Sequence, residues 1–209
     1  MNEQLKIKIS KRLVFIRDKC FELTILEYQY FLIQMSARIT TTDRKKILEE
    51  RLGNDLSLHE ISADSIRDKY FLELAKLFED AGRNETNSFP NLKLILEKNL
   101  DTFPVNLREQ ICNFLSKTNV RIETYQGQIL NLKKHRDKCL GHNDKTAECK
   151  HLETISSLDT KALINILIQF TNELSGIFEY EMFDSKKVEE MKDRMSHTTY
   201  ERIKKMEQS

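Results

Sequence analysis

Only five glycines and two prolines punctuate a chain of 209 residues, and that scarcity limits its possible folds more than any other feature. Tight turns between strands consume both residue types, because each supplies backbone angles that other residues reach poorly. A chain that uses so few must be built from long uninterrupted elements. The apolar spacing says which kind: Leu5, Ile9, Leu13, Ile16, Cys20, Leu23 and Tyr30 recur in steps of three, four or seven, which predicts one helix over 3–38.

The same reading divides the rest of the chain into further helices. Thr40 to Asp43 offers a break and a cap for a short segment, Arg44 to Leu52, that ends at Gly53-Asn54-Asp55. A second core helix is predicted over 59–81, with Ile66, Tyr70, Leu74, Leu77 and Phe78 on its apolar face. The polar stretch 82–91, which contains Pro90, reads as a surface loop. A short helix beginning at Leu92 then precedes Asp101-Thr102-Phe103-Pro104. Residues 105–142 hold one long helix, or two joined near Lys117 to Asn119.

A polar loop over 141–157 leads to a helix that Asp159 can cap. Its Leu163, Ile166, Leu167, Phe170, Leu174, Ile177 and Phe178 form the most hydrophobic stripe of the chain, so it is expected at the centre of the core. After Phe183, Ser185 can cap a last helix with Val188, Met191, Met195, Ile203 and Met206 on one side. The expected organisation is an all-α domain over 1–183 and a C-terminal amphipathic helix over 184–209, packed on the body or used for dimerisation.

One stretch, Lys133-Lys134-His135-Arg136-Asp137-Lys138-Cys139-Leu140-Gly141-His142-Asn143-Asp144, looks more like a site than any other. The apolar stripe leading into it runs Ile122, Tyr125, Ile129, Leu132, and its next two steps fall on Arg136 and Cys139. A guanidinium cannot shed its charge, so on a buried face Arg136 needs an anionic or hydrogen-bonding partner, either a structural ion pair or a ligand. Arg136 and His142 are separated on an ideal helix by a rotation of about 120° and a rise of roughly 9 Å. Gly141 could unwind the last turn and close that gap; alternatively, a second copy of the helix could face the first across a two-fold axis. A solvated helix end that gathers cations against its macrodipole would carry a similar sequence.

An arginine followed by a polar residue, with a histidine four to six positions after the arginine at the end of a long helix, is similar to the signature of the HEPN superfamily. Arg136-Asp137 with His142 fits it. The text around it, RDKCLGHND after a helical run, with SIRDKYFLELAKLFEDAG and SFPNLKLIL upstream, resembles the abortive-infection branch of that superfamily over residues 10–180. The resemblance implies a HEPN-like helical bundle with additional short helices, usually dimeric. It also implies metal-independent RNA cleavage in antiphage defence or toxin–antitoxin systems, with Arg and His of both protomers lining one cleft. Carried over, Arg136 would hold the scissile phosphate, His142 would act as general base or acid, and Asp137 would orient the arginine. Lys133, Lys134, His135, Lys138 and Asn143 would contact RNA, and an antitoxin or another defence protein is an expected partner. Members silenced by nucleotidylation carry a tyrosine two residues after the histidine; Asp144 stands there, so that control is not expected.

The chemistry is sound without the family. Histidine accepts or donates protons near neutrality, and arginine grips phosphate through a fork of donors. With 34 basic and 33 acidic residues there is no global field to steer RNA, and binding must come from local patches. The absence of an apolar run of membrane-spanning length and of a leader sequence suggests a cytoplasmic protein with no membrane partner. Cys20, Cys112, Cys139 and Cys149 read as reduced thiols. Cys139, His142, Cys149 and His151 offer zinc-type donors, but their spacing matches no common zinc site and Cys139 lies on the apolar stripe, so no metal or cofactor is expected. The competing reading is a non-catalytic helical module that binds RNA, a nucleotide or a protein through the same groove.

Overall fold

The computed structural model describes residues 3–38, 55–80, 87–137 and 157–208. These hold seven α-helices: α1 (Glu3–Arg38), α2 (Asp55–Leu77), α3 (Phe89–Lys98), α4 (Val105–Thr124), α5 (Gln126–His135), α6 (Ser157–Phe178) and α7 (Ser185–Gln208), with one 3-10 turn at Leu100–Thr102. No strand occurs among the described residues, and the fold is all-α. The expected segment Arg44 to Leu52 lies outside them. The chain groups into two compact units, one of residues 1–21 and 71–183, the other of residues 22–70 and 184–209.

The first unit is organised around α6. Leu163, Ile166, Leu167, Phe170, Leu174 and Phe178 of the predicted stripe are buried, because steps of three and four keep them on one face, while Ile177 is half-buried; Ile164, outside the stripe, is buried as well. Phe170 stacks on Phe89 of α3 at 4.8 Å and takes Phe114 of α4 edge-on at 6.0 Å, both favoured aromatic geometries. Arg121 lies over the same ring at 6.0 Å and pairs with Glu173 at 3.1 Å. α6 ends where Glu179 adopts φ 57°, and the Tyr180 N–H donates to the Ser175 carbonyl at 2.8 Å. A left-handed residue closing a helix is usually glycine; here a glutamate carries the strain.

Several boundaries differ from the sequence reading; α2 runs over Asp55–Leu77 where 59–81 is expected. Pro90 lies in the first turn of α3 and not in a loop: Ser88 caps the helix, its Oγ accepting from the Asn91 N–H at 3.4 Å. Proline belongs at such a position because its missing N–H would have no intrahelical partner. The break after Val105 falls at Tyr125, not near Lys117 to Asn119. Thr118 is a weak helix former but is fully buried within α4, and packing overrides propensity; the break falls instead two residues before Gly127. α7 is capped by Asp184, whose carboxylate accepts from the Lys187 N–H at 3.0 Å, one residue before the expected Ser185. Likewise α6 begins at Ser157, which puts Asp159 in its first turn, where a carboxylate suits the helix dipole.

In the second unit α7 packs on the later half of α1. The Tyr28 hydroxyl donates to Ser196 Oγ, which itself donates to the Lys192 carbonyl at 3.0 Å. Lys192 Nζ stands 5.7 Å over the Tyr28 ring, and Val188 is buried.

Two features hold the frame that carries the motif. Lys19 of α1 pairs with Glu73 of α2 at 3.0 Å, and Lys76 reaches the same carboxylate at 2.6 Å. Burial pushes the Glu73 carboxyl up, but the hydrogen bonds from Lys76 and Lys19 outweigh it and hold it below its ordinary value of 4.5. A depressed carboxyl contributes stability that is present above its unfolded pKa and lost as pH falls through the folded one. Glu73→Gln is therefore expected to be less stable than wild type at pH 7, the gap closing below about pH 4.5; urea unfolding at a series of pH values measures it. Further along, Ile129 and Leu132 bury the inner face of α5. Leu132, fully buried one turn before Arg136, anchors the motif, so Leu132→Ala should cost about 2–5 kcal/mol in urea unfolding.

Candidate functional site

The motif begins where α5 ends. Lys133, Lys134 and His135 occupy its last turn, and Arg136 continues with helical backbone angles. The apolar stripe delivers Arg136 to the edge of the buried face, as the spacing predicts: Leu132 is fully buried, and the Arg136 side chain keeps 20% of its exposure.

Arg136 Nε donates to Asp137 Oδ1 at 2.7 Å, and its Nη1 lies 3.7 Å from Glu79 Oε1 just past the end of α2. The second distance is an ion pair too long for a hydrogen bond. Among the described residues neither terminal nitrogen of Arg136 makes a hydrogen bond. The hydrogen bond to Asp137 raises the guanidinium pKa above its ordinary value against partial burial, and the charges of Asp137, Glu79 and Asp80 add to it. Arg136 is thus a fixed cation at every pH relevant to RNA chemistry, turned by its neighbouring carboxylate.

Lys133 Nζ donates to Asp80 Oδ1 at 2.7 Å. Lys134 is exposed. His135 is half-buried, with its ring 5.6 Å from that of Phe71 on α2. The structure therefore gathers Lys133, Arg136, Asp137, Glu79 and Asp80 at one place, where two acids from the end of α2 face two of the motif's cations. Lys138, His142, Asn143 and Asp144 lie outside the described residues, as do Cys139, Cys149 and His151. No cluster of metal-ligating side chains occurs among the described residues, and none of their helices is long and apolar enough to cross a membrane.

Sequence reasoning did not reach Glu79 and Asp80, because nothing local marks two acids after a helix as partners of cations 53 or more residues away. It also passed over Arg12. That residue sits on α1 among Ile9, Leu13 and Ile16, is only 8% exposed, and has no hydrogen bond or ion pair among the described residues. The signal was present as a lone arginine next to a fully apolar stripe. Cys20, on that stripe, is buried, and burial pushes its thiol up to about 12, which makes it an inert core residue.

No curated protein and no solved structure matches the chain. The family model HEPN AbiU2, described as AbiU2, matches residues 8–194, a range that includes Arg136 and His142. With an all-α fold among its described residues and a family match over most of its length, the chain belongs to the AbiU2 family of HEPN proteins.

Proposed function

We propose that this chain is a metal-independent endoribonuclease of an antiphage defence or toxin–antitoxin system, acting as a homodimer in which Arg136 and His142 of two protomers line one cleft. The observation that carries the reading is the state of Arg136 in an AbiU2-family chain. Asp137 takes the Nε donor and fixes the plane of the guanidinium, leaving the two terminal nitrogens for a bidentate phosphate. A structural arginine would commit that fork to a carboxylate of its own chain; Glu79, at 3.7 Å, falls short of it.

The chemistry then follows from the residue types. A base takes the proton of a ribose 2′-hydroxyl, the 2′-oxygen bonds to phosphorus, the bond from phosphorus to the 5′-oxygen breaks, and an acid protonates the leaving oxygen. His142 supplies proton transfer, since an imidazole titrates near neutrality, and two copies across a dimer would divide the acid and base roles. Arg136 neutralises the charge that grows on the non-bridging oxygens. Lys133, Lys134, His135, Lys138 and Asn143 are the proposed contacts to the rest of the RNA, in a cytoplasmic protein whose activity an antitoxin or other defence protein restrains. No metal or cofactor is needed for this route.

The test is cleavage of a mixed RNA pool in EDTA, with 3′ ends of the products mapped. Wild type should leave cyclic-phosphate ends, while Arg136→Ala and His142→Ala leave the RNA intact and keep helicity and dimerisation. Intact RNA with wild type alongside measurable RNA binding would favour the non-catalytic module instead. A second expectation concerns the acids. Asp80→Asn releases Lys133 at little cost in stability, because Asp80 is 88% exposed and exposed pairs contribute little. RNA binding should tighten, and the slope of log affinity against log salt should steepen by about 0.7 for one added phosphate contact to a single strand.

A further inference from the structure

We propose that Arg12 is a third phosphate-binding cation of the same site, holding a backbone phosphate next to the one taken by Arg136; this rests on the endoribonuclease reading. Arg12 is 8% exposed, its Nε is buried with no hydrogen-bond partner, and its side chain makes no ion pair among the described residues, which is a costly arrangement to keep in a folded chain. Buried arginines are stable when every donor finds an acceptor. An unsatisfied one is accounted for if its acceptor arrives with the substrate.

Register puts Arg12 at the correct end of the molecule's first unit. Lys19 reaches Glu73 on α2, and Arg12 precedes Lys19 by seven residues, two turns with a net rotation of only about 20°. Arg12 therefore shares the α1 face that looks toward α2. Glu22, further along α1, pairs with Lys69, earlier on α2, so the two helices are antiparallel. Moving back along α1 from Lys19 to Arg12 therefore runs toward and past the end of α2 at Leu77, where Glu79 and Asp80 follow. Helical side chains also lean toward their own N-terminus, carrying the Arg12 head further in that direction. Asp80 and Glu79 are the residues that meet Lys133 and Arg136. Both acids are engaged by motif cations, and no described acid pairs with Arg12.

This arrangement is chemically coherent for RNA. Arg12 and Arg136 offer two forks for successive phosphates, Lys133 a point charge, and Glu79 and Asp80 keep the site from being a bare cluster of cations before RNA enters. The near-neutral charge of the whole chain, +1, is no obstacle, because attraction at this range depends on the local group.

The variant Arg12→Met keeps the length and apolar stem of the side chain and removes the charge. Thermal melts of wild type, Arg12→Met and Arg136→Met, each with and without inorganic pyrophosphate, are paired with binding to a 2′-O-methyl RNA oligonucleotide, which cannot be cut. Arg12→Met should melt higher than wild type without ligand, lose the rise in melting temperature that pyrophosphate gives wild type, and bind the oligonucleotide at least about ten-fold more weakly. Its salt slope should fall by about 0.7.

A lower melting temperature for Arg12→Met without ligand would identify Arg12 as a structural residue and overturn the proposal. Unchanged oligonucleotide binding in Arg12→Met, with binding lost in Arg136→Met, would overturn it while leaving the endoribonuclease reading in place. If wild type binds no oligonucleotide, that reading falls, and the anion site at Arg12 stands or falls by itself on whether pyrophosphate stabilises wild type but not Arg12→Met.

Discussion

The stacking of Phe89, Phe114 and Phe170 is the interaction on which the first unit depends. Three rings from α3, α4 and α6 meet with centroids 4.8 and 6.0 Å apart, and the helices that carry them include the one that runs into the motif. Burying large aromatic side chains against one another removes much apolar surface from water and limits the rings to a few relative orientations. That fixes α4 against α6. The short α5 then has only to bury Ile129 and Leu132 to bring the motif's first cations to the end of α2. A helix of ten residues would be marginal in water alone; it holds here because α4 leads directly into it and its inner face is covered.

Electrostatics at that junction are arranged in opposition to packing. The end of α2 presents Glu79 and Asp80, and the end of α5 presents Lys133 to Arg136, so the cations that would repel one another across a small site are balanced by acids of another element. Such pairs are weak when exposed, and weakness is what a binding site requires. On the proposed reading a phosphate of an incoming strand would compete with Asp80 for Lys133 at little cost, while Arg136 presents terminal nitrogens that no described residue hydrogen-bonds.

The sequence made the helices legible wherever one face had a single task. α1 and α6 show an apolar stripe over many turns, and its central residues are buried in both, while Leu5, Tyr30 and Ile177 toward the ends are only half-buried. Boundaries were less legible, since they turn on one residue's dihedral angles or one cap. Ser88 and Asp184 cap their helices because they stand where the chain enters, and Ser185, equally suited by type, stands one residue too late. The joint after α4 was misplaced for a different reason: Thr118 and Asn119 look like breakers locally, but the burial of Thr118 against the core outweighs propensities of a few tenths of a kcal/mol. The motif's arginine and its carboxylate were legible because they are adjacent; their partners on α2 were not, because sequence separation carries no record of which surfaces meet.

Arg12 illustrates the asymmetry between apolar and charged residues in such a reading. An apolar side chain on a helical stripe is explained by the stripe. A buried arginine is explained only by whatever satisfies its donors, and within the described chain nothing does. Selection for stability alone would replace it with leucine or methionine, which fill similar space without the cost of desolvating a charge. Its place on the face of α1 that looks toward the end of α2 is what the proposed anion site would use. Under that proposal an anion delivered by the substrate would supply the missing acceptor with no further assumption about the fold.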